Sequence, residues 1–528
     1  MTGSGSSAEP QSFSARIVAL SNEPIDRYPY VKAELSGIAA EVEKAQLSDM
    51  ERAAAGYMLT AVMINAAGDA GDEDGLTVGV GWARDLAGAP STPLTLVPQA
   101  QLNQANGMTA LLELAEQDDP GVVSAQRSWS AAIEFRLANL DRSGPIRTLL
   151  ESVAHNPALP PAPQSLALCN LANRLDDDGR WVEAYAAYSD ALAAEPTNGN
   201  AAGNIAELLR RRMEGPSGQR GHLAAVYNHY VLLAHELRPR TVEIAGEGAA
   251  QRWDHLRTVP TEGHYSHDGD ALDEYQQWIV EHRLALTATV EGLGSDSDRW
   301  DTATVTSVTG DINDPAVPRI FAAFNVLKAE YLVARRLAFR GITMIDEAAP
   351  LQHPEDTGSY ANTGDGAYYG EGPALLLLAQ RSVLDVLDKI AVAANEHFGT
   401  GLKPSRVKFS EFWMDAKAGQ ARPPLAANDL GKLHILALAQ LAADYQNGMY
   451  AQAKLLRNAG THRLVHVTYG LPTGPTEDTF SSVDVDELKA ATVSALWVAR
   501  AAYLYFVDLL DSQATSQPAV PLRVPNQI

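Results

Sequence analysis

One stretch near the end of the sequence combines residue types that could act on a phosphodiester. Arg457, Asn458 and His462 fall within six positions, directly after a long run with helical apolar periodicity. Arginine is a permanent cation whose planar fork can hold two phosphate oxygens, and histidine can take or give a proton near neutral pH. The asparagine amide both donates and accepts hydrogen bonds, so it could orient either group.

This chemistry needs the helix to end before the histidine. On an unbroken helix, positions 457 and 462 would point about 140° apart, at roughly 100° per residue. Gly460 and Thr461 have the residue types of a helix stop followed by a new cap. The sequence therefore predicts that His462 lies just past the helix end and turns back toward Arg457. A surface ion pair for Arg457 and an ordinary boundary histidine are the alternative, because such spacings are common.

Composition restricts the classes of function. The 528 residues have room for about two to four domains. A net charge of -24 argues against non-specific binding of nucleic acid, but leaves open a small basic pocket. Cys169 is the single cysteine, which excludes an internal disulfide framework and favours a reducing compartment. We see no secretory signal, and the densest apolar run, residues 374–379, is too short to span a bilayer. We therefore expect a cytoplasmic protein with no membrane partner.

Other stretches resemble ligand sites only superficially. The acidic loop 68–75 lacks the alternating spacing and distal glutamate of an EF-hand, so a solvated turn is favoured. His264 and His267 have no further ligands at metal-binding spacing. The glycine-rich loop 364–370 lacks the lysine and preceding strand of a phosphate loop. His466 follows the motif histidine at helical spacing, but no glutamate lies between them, so a metalloprotease is disfavoured.

Helical periodicity and composition divide the chain into six parts. In order, these are a flexible tail at 1–28, an N-terminal helical region at 29–105, tetratricopeptide-like repeats at 106–240, an irregular connecting region at 241–317, a helical bundle at 318–512 and a C-terminal tail at 513–528.

The clearest repeat unit covers residues 163–196, where two helices flank a turn at Gly179 and Pro196 ends the second helix. Its pattern fits the 34-residue tetratricopeptide repeat, and one such unit cannot bury its own face. We therefore predict that the neighbouring helices stack on it as divergent repeats, in a solenoid. The predicted inward positions are Leu168, Leu171, Ala172, Leu175, Trp181, Ala184, Tyr188 and Ala191.

Four apolar-faced helical segments follow, at 318–340, 373–397, 429–459 and 484–511. The last opens with Asp484 and Glu487 at the spacing of a capping box. Four helices of this length most simply form a bundle. The predicted fold class is all-α, with a tetratricopeptide-like helical solenoid followed by a bundle.

The motif and its setting resemble the HEPN-domain nucleases. The resemblance rests on Arg457, Asn458 and His462 at the end of the third bundle helix, and on residues 387–391 and 409–413 around it. It covers about residues 318–512 and is closest to a large-bundle branch that also occurs beside tetratricopeptide repeats.

The resemblance implies endoribonuclease activity without a metal or other cofactor. Arg457 would hold the scissile phosphate, Asn458 would orient, and His462 would act as general acid–base while the ribose 2′-hydroxyl attacks. The products would be a 2′,3′-cyclic phosphate and a 5′-hydroxyl. Glu330 matches loosely an acidic position on the first helix of the family, and Arg463 would help to bind substrate.

The resemblance also implies a homodimer with two motifs facing one cleft, often in toxin–antitoxin or anti-phage defence. The repeats would bind a sensor or inhibitory protein. Two rivals stay open: a scaffold whose repeats and bundle only bind protein, and a nucleotide-binding regulator. The acidic composition and the absence of an evident basic track leave open a non-catalytic binder, whereas a basic rim around Arg457 would favour the ribonuclease.

Overall fold

In a computed structural model, most of the chain is helical. The residues that the structure describes are 12–214, 220–261, 265, 272–291, 300–306, 318–349, 351–364, 366–415, 420–422, 425, 429–462, 464–470 and 480–514.

The chain divides into two compact units. The first comprises residues 1–135, 141–171 and 193–196, and the second comprises 136–140, 172–192 and 197–528. All residues of the candidate motif belong to the second unit.

Eight helices cover most of the first 154 residues. They are α1 (Phe13–Ser21), α2 (Tyr28–Lys44), α3 (Asp49–Ala70), α4 (Glu73–Gly88), α5 (Val97–Asp118), α6 (Pro120–Ser124), α7 (Trp129–Ala138) and α8 (Leu140–Ala154), with a 3₁₀ turn at Ile25–Arg27.

In the first unit, α3 packs against α2, α4 and α5. The acidic loop at 68–75 is here a helix junction, because α3 continues to Ala70 and α4 begins at Glu73. Asp72 caps α4 by accepting from the Gly75 amide at 3.1 Å, and its carboxylate also pairs with Lys32 at 2.6 Å. A negative charge at a helix N-terminus is stabilised by the helix dipole. Asp72 therefore has a structural role in this turn.

The remaining α-helices are α9 (Pro161–Asp177), α10 (Trp181–Ala194), α11 (Gly199–Glu214), α12 (Arg220–Glu236), α13 (Arg238–Ala245), α14 (Glu247–Trp253), α15 (Glu274–Glu281), α16 (Arg319–Ala348), α17 (Glu371–Phe398), α18 (Phe409–Phe412), α19 (Asp429–Asn447), α20 (Ala451–His462) and α21 (Val485–Ala514), with a second 3₁₀ turn at Pro404–Arg406.

The predicted repeat unit is a helical hairpin of α9 and α10 that turns at Gly179, whose φ of +75° favours glycine. All eight positions predicted to face inward are buried. Tyr188 donates to Asn173 Oδ1 at 2.7 Å, which joins the two helices. Asn204 on α11 donates to the same oxygen at 3.0 Å. Stacking of α11 on the hairpin is the arrangement expected of successive helical repeats.

The bundle is built from α16, α17, α19, α20 and α21, with α17 packed against α16, α20 and α21. The prediction of one helix over 429–459 is wrong. Helix α19 ends at Asn447, and a separate helix, α20, begins at Ala451. The break lies at Gly448, where a Cβ would come 2.5 Å from Asp444 Oδ1 and 2.8 Å from Asp444 Cα. Only glycine fits there without a shift of the backbone.

Within the described ranges, two small sheets accompany the helices, and neither was predicted. Strand β1 (Met414–Asp415) pairs antiparallel with β2 (Gln420–Ala421), and β3 (Leu464–Thr468) pairs parallel with β4 (Phe480–Asp484). In the second pair, Val467 lies opposite Val483, and both are buried beside Leu456 of α20. Asp484 then caps α21 by accepting from the Asp486 amide at 2.9 Å. The second sheet therefore joins the helix that carries the motif to the last helix of the bundle.

Residues 284–291 form a buried strap, which is neither helix nor strand and is bonded to two bundle helices. Arg500 of α21 donates to the carbonyls of Ala285 at 2.6 Å and Thr287 at 2.7 Å. Arg335 of α16 donates to the Leu284 carbonyl at 2.8 Å. Helix α15 ends at Glu281, three residues before the strap. The carbonyls that a longer helix would have used are bound by side chains of the bundle instead.

Among the described residues, Val485–Ser512 is the one helical stretch long and apolar enough to cross a membrane. In its most apolar window, 78% of the residues are buried inside the protein. Length and composition are weak evidence for a membrane span, and this burial is that of a helix at the centre of a bundle.

Candidate active site

Arg457 lies on the outer part of α20, where two carboxylates of α17 hold its side chain. Its Nη2 donates to Asp385 Oδ1 at 2.6 Å and to Asp388 Oδ2 at 3.4 Å. The Arg457 side chain is 26% exposed, and that of Asp385 is 53% exposed. Asp385 and Asp388 are one helical turn apart, so they share a face of α17. The guanidinium is thus positioned but open to solvent.

The pKa of Arg457 reflects opposing effects. Partial burial lowers it, but the hydrogen bond to Asp385 and the electrostatic interactions with Tyr445 and Asp388 raise it further, so the net pKa lies above the ordinary value. Tyr445 lies close to Arg457. Burial raises the pKa of the Tyr445 hydroxyl to about 12, although the Arg457 cation opposes that shift. At neutral pH, Arg457 is a fixed cation over a neutral phenol.

The prediction that the helix stops at Gly460 is wrong, because α20 continues to His462. Positions 457 and 462 on this helix are therefore about 140° apart, at roughly 100° per residue. The side chains of Asn458 and His462 lie outside the described part of the structure, and Arg463 lies outside it entirely. One helix does not place positions 457 and 462 on a common face. A single cleft that uses both residue types would therefore need Arg457 from one chain and His462 from another.

Glu330, the loosely matched acidic residue, is paired with another cation. Its two carboxylate oxygens each accept from Lys389 Nζ at 2.6 Å, and Lys389 lies on α17. The acidic side chains on Arg457 are instead Asp385 and Asp388. Asp388 falls within residues 387–391, on which the family resemblance rests, whereas Asp385 was not among the predicted site residues. The sequence did contain an indication of this pair, because two aspartates three residues apart on an otherwise apolar helix require partners for their charge.

Two lysines near Arg457 were also missed. Lys454 precedes it by one turn of α20. Burial lowers the pKa of Lys454, and the positive charges of Lys408 and Arg457 lower it further, against the opposing charge of Glu411. Lys408 lies at the start of α18 and pairs with Glu411 at 3.2 Å. Arg457, Lys408 and Lys454 are therefore accompanied by three carboxylates, those of Asp385, Asp388 and Glu411.

The remaining sequence candidates fall on other elements or outside the described residues. His466 lies on β3, not on a helix with His462, and its ring meets Tyr369 edge to face at 6.0 Å. The helical spacing considered for a zinc pair is therefore absent. His264 and His267 lie outside the described residues. In the loop 364–370, Tyr368 is tied to β3, because its amide donates to the Val467 carbonyl at 2.6 Å.

A buried polar cluster connects the repeat hairpin to the break before α20. Arg180 and Glu183 of the hairpin bind each other, and Arg180 also pairs with Asp444 of α19. Glu183 accepts hydrogen bonds from Tyr450, which precedes α20, and from Tyr505 of α21 at 3.0 Å. Buried charges are tolerated when each one is paired and hydrogen-bonded, as here. The hairpin thus contacts the segment that sets the direction of α20.

With this geometry in view, residues 312–513 match the sequence family described as LA2681-like HEPN. No curated protein matches the chain. The matched residues include Arg457, Asp385 and Asp388. The match supports assignment of the bundle to the HEPN family. The repeat-like hairpins upstream lie outside the matched residues.

HEPN domains are usually ribonucleases, so the match supports a ribonuclease- or nucleotide-related role for the bundle, and an enzyme at a coarse level.

Proposed function

We propose that the protein is a metal-independent endoribonuclease that leaves 2′,3′-cyclic phosphate and 5′-hydroxyl ends. Arg457 holds the scissile phosphate, His462 moves the protons of attack and departure, and Asn458 orients them. The proposed setting is toxin–antitoxin or anti-phage defence, with the repeats sensing a signal or restraining the nuclease.

The observation that carries this proposal is the placement of Arg457. It lies within the family match and is partly open to solvent, yet Asp385 and Asp388 fix its direction. An ion pair this exposed typically contributes about 0–1 kcal/mol. A phosphate that binds both guanidinium nitrogens can therefore displace it, since charge-assisted bidentate bonds are among the stronger ones. The carboxylates would then hold the guanidinium in position until a phosphate replaces them as its partner.

A composite site in a homodimer follows from the helix geometry and from the chemistry. In-line cleavage requires a base that removes the proton of the 2′-hydroxyl and an acid that protonates the leaving oxygen. One histidine supplies only one of these two groups. Because α20 is unbroken through His462, positions 457 and 462 diverge on one chain. A second copy across a two-fold axis would bring a second arginine and histidine to the same cleft.

The rival proposal is a protein-binding scaffold, and the acidic partners of Arg457 favour it. If the ion pairs with Asp385 and Asp388 are permanent, Arg457 serves only to join α20 to α17. The two proposals differ in what the purified protein does to RNA.

The test is to incubate the purified full chain with total RNA in EDTA and to map the cut ends chemically. We expect cleavage with cyclic phosphate termini. Arg457→Ala and His462→Ala should each lower the rate by about a hundred- to ten-thousand-fold, the usual contribution of such groups. Arg340→Ala is a matched control, because Arg340 is also a partly exposed arginine paired with a surface carboxylate, Glu355. Intact RNA after incubation with the unmodified protein would favour the scaffold, whereas cleavage that survives both motif substitutions would move the site elsewhere.

A further inference from the structure

The loop between α17 and α18 carries a run of cations that the proposed reaction does not use. Lys403, Arg406 and Lys408 lie within six positions and are all exposed. Lys403 and Arg406 form no ion pair or side-chain hydrogen bond in the part of the chain that the structure describes. Unpaired cations are unexpected in a protein with a net charge of -24. A cluster of them on one loop needs a reason.

The loop is held in place rather than loosely tethered. The buried side chain of Asn395 donates to the Leu402 carbonyl at 3.0 Å and accepts from the Leu402 amide at 3.1 Å. Val407 is buried. Between them lies the 3₁₀ turn Pro404–Arg406, in which the Arg406 amide donates to the Lys403 carbonyl at 2.9 Å and holds the two residues close together. Lys403 and Arg406 are therefore presented together, at low entropic cost for binding.

The loop also reaches the candidate active site. The Phe409 amide donates to Asp388 Oδ1 at 2.9 Å, and Asp388 Oδ2 accepts from Arg457 at 3.4 Å. One carboxylate thus joins the end of the loop to the phosphate-binding arginine. Lys408 and Lys454 feel each other's charge next to Arg457. These cations therefore come from two segments, the loop before α18 and helix α20, which meet at Asp388 beside Arg457.

We propose that this basic track, Lys403, Arg406, Lys408 and Lys454, binds the phosphates of a single RNA strand on one side of the scissile phosphate. The inference rests on the proposed ribonuclease function and assigns its substrate-binding surface. A row of cations that leads to a catalytic arginine fits a polyanion of regular spacing. Phosphate contacts position a strand without reading its sequence. The track therefore supplies affinity and register, and the acidic remainder of the protein limits binding elsewhere.

The test measures binding separately from cleavage. A fluorescent 20-nucleotide RNA with 2′-O-methyl riboses cannot be cut by its own 2′-oxygen, so anisotropy reports affinity alone. Lys403→Gln/Arg406→Gln should weaken binding and lower the slope of log affinity against log salt by about 1.4, at roughly 0.7 per lost contact on a single strand. Lys44→Gln/Arg84→Gln is the matched control, since it removes one exposed lysine and one exposed arginine from α2 and α4. The control should bind like the unmodified protein.

The outcomes separate the track from the catalytic proposal. Unchanged affinity and salt slope in Lys403→Gln/Arg406→Gln, with cleavage of ordinary RNA intact, would overturn the track and leave the ribonuclease standing. A reduced slope in a protein that cuts no RNA would support the track and overturn the catalytic assignment. An equal loss of affinity in the Lys44/Arg84 control would show a general charge effect and would also overturn the track.

Discussion

At the scale of single residues, Asp385 is the clearest addition to the motif. It contacts Arg457 at 2.6 Å and is itself half exposed, so it competes with any incoming phosphate while it directs the guanidinium. Asp388 also accepts a hydrogen bond from the Phe409 amide. A substitution of Asp388 would therefore disturb the loop as well as Arg457. The two aspartates therefore differ in what their removal would report.

We expect Asp385→Asn to separate binding from catalysis. Loss of one competing charge should tighten RNA binding by about two- to fivefold, since an exposed ion pair is worth up to about 1 kcal/mol. The kcat should fall, because the guanidinium loses its strongest positioning bond. Steady-state kinetics on a defined RNA give both values. Asp486→Asn is the control, as Asp486 is an exposed aspartate paired with Lys489 at 3.2 Å. A simultaneous loss of affinity and kcat would assign Asp385 to direct RNA binding.

The motif types could be read from the sequence, but their partners could not. The chemical capacity of arginine, asparagine and histidine depends on the residue type, which the sequence states directly. The bond from Arg457 to Asp385 joins residues 72 positions apart, and only the packing of α20 on α17 makes it. The same holds for Lys408 and Lys454, whose closeness depends on Asp388 holding the loop end. The basic track was therefore not predicted, because its residues come from two separate segments of the chain.

At the scale of elements, the direction of α20 depends on the break at Gly448. The preceding turn is closed by Asp444, whose carbonyl accepts from the amides of Gly448 at 2.9 Å and Tyr450 at 3.2 Å. The carboxylate of Asp444 is simultaneously paired with the buried Arg180. A change at this turn therefore acts on α20 and on the repeat hairpin together.

Gly448→Ala should reduce RNA cleavage although it lies well before Arg457 in the chain. The added Cβ would overlap Asp444, so the turn must open and α20 must move. Misplacement of a catalytic group by about 1 Å can cost on the order of a hundredfold in rate. Gly81→Ala is the control, because Gly81 lies on a helix and a Cβ added there would have nothing within 4 Å. It should keep full activity. An active Gly448→Ala protein would show that the direction of α20 does not limit the reaction.

The hairpin of α9 and α10 should depend on its two large aromatic side chains. Trp181 is buried, donates to Asp508 at 2.7 Å and stacks under Arg212 at 4.0 Å. Replacing Trp181 or Tyr188 with alanine should lower the free energy of unfolding by roughly 3–5 kcal/mol through cavity formation. Trp129→Ala is the control, since Trp129 is 52% exposed. Urea unfolding that does not distinguish Trp181→Ala from Trp129→Ala would contradict the packing described here.

Local patterns predicted these elements well where neighbours in sequence are neighbours in space. The hairpin turn at Gly179 and its buried positions follow from helical periodicity. The β3–β4 pair did not, because a parallel pair needs a distant partner. The alternation of Val465, His466 and Val467 was its only local sign. The buried strap is likewise fixed by Arg335 and Arg500, far along the chain.

At the scale of the whole molecule, the proposed homodimer gives the sharpest test. Light scattering at micromolar concentration should report a dimer, and mixing Arg457→Ala with His462→Ala protein should restore part of the activity. Hybrid dimers regain activity only if each chain supplies a different group to one cleft. Mixing either variant with Arg340→Ala protein controls for simple dilution. A strictly monomeric, fully active protein would overturn the composite site and leave the motif itself in place.

The buried strap has a consequence for where the HEPN-like bundle begins as a folding unit. The family match starts at residue 312, yet Arg500 and Arg335 inside it find hydrogen-bond acceptors at Ala285, Thr287 and Leu284. Cutting the chain at the start of the match would strand these cations in an apolar interior, at a cost of about 1–3 kcal/mol or more for each lost set of bonds. The region that can be inherited or transplanted as a working module is therefore longer than the region recognised by sequence.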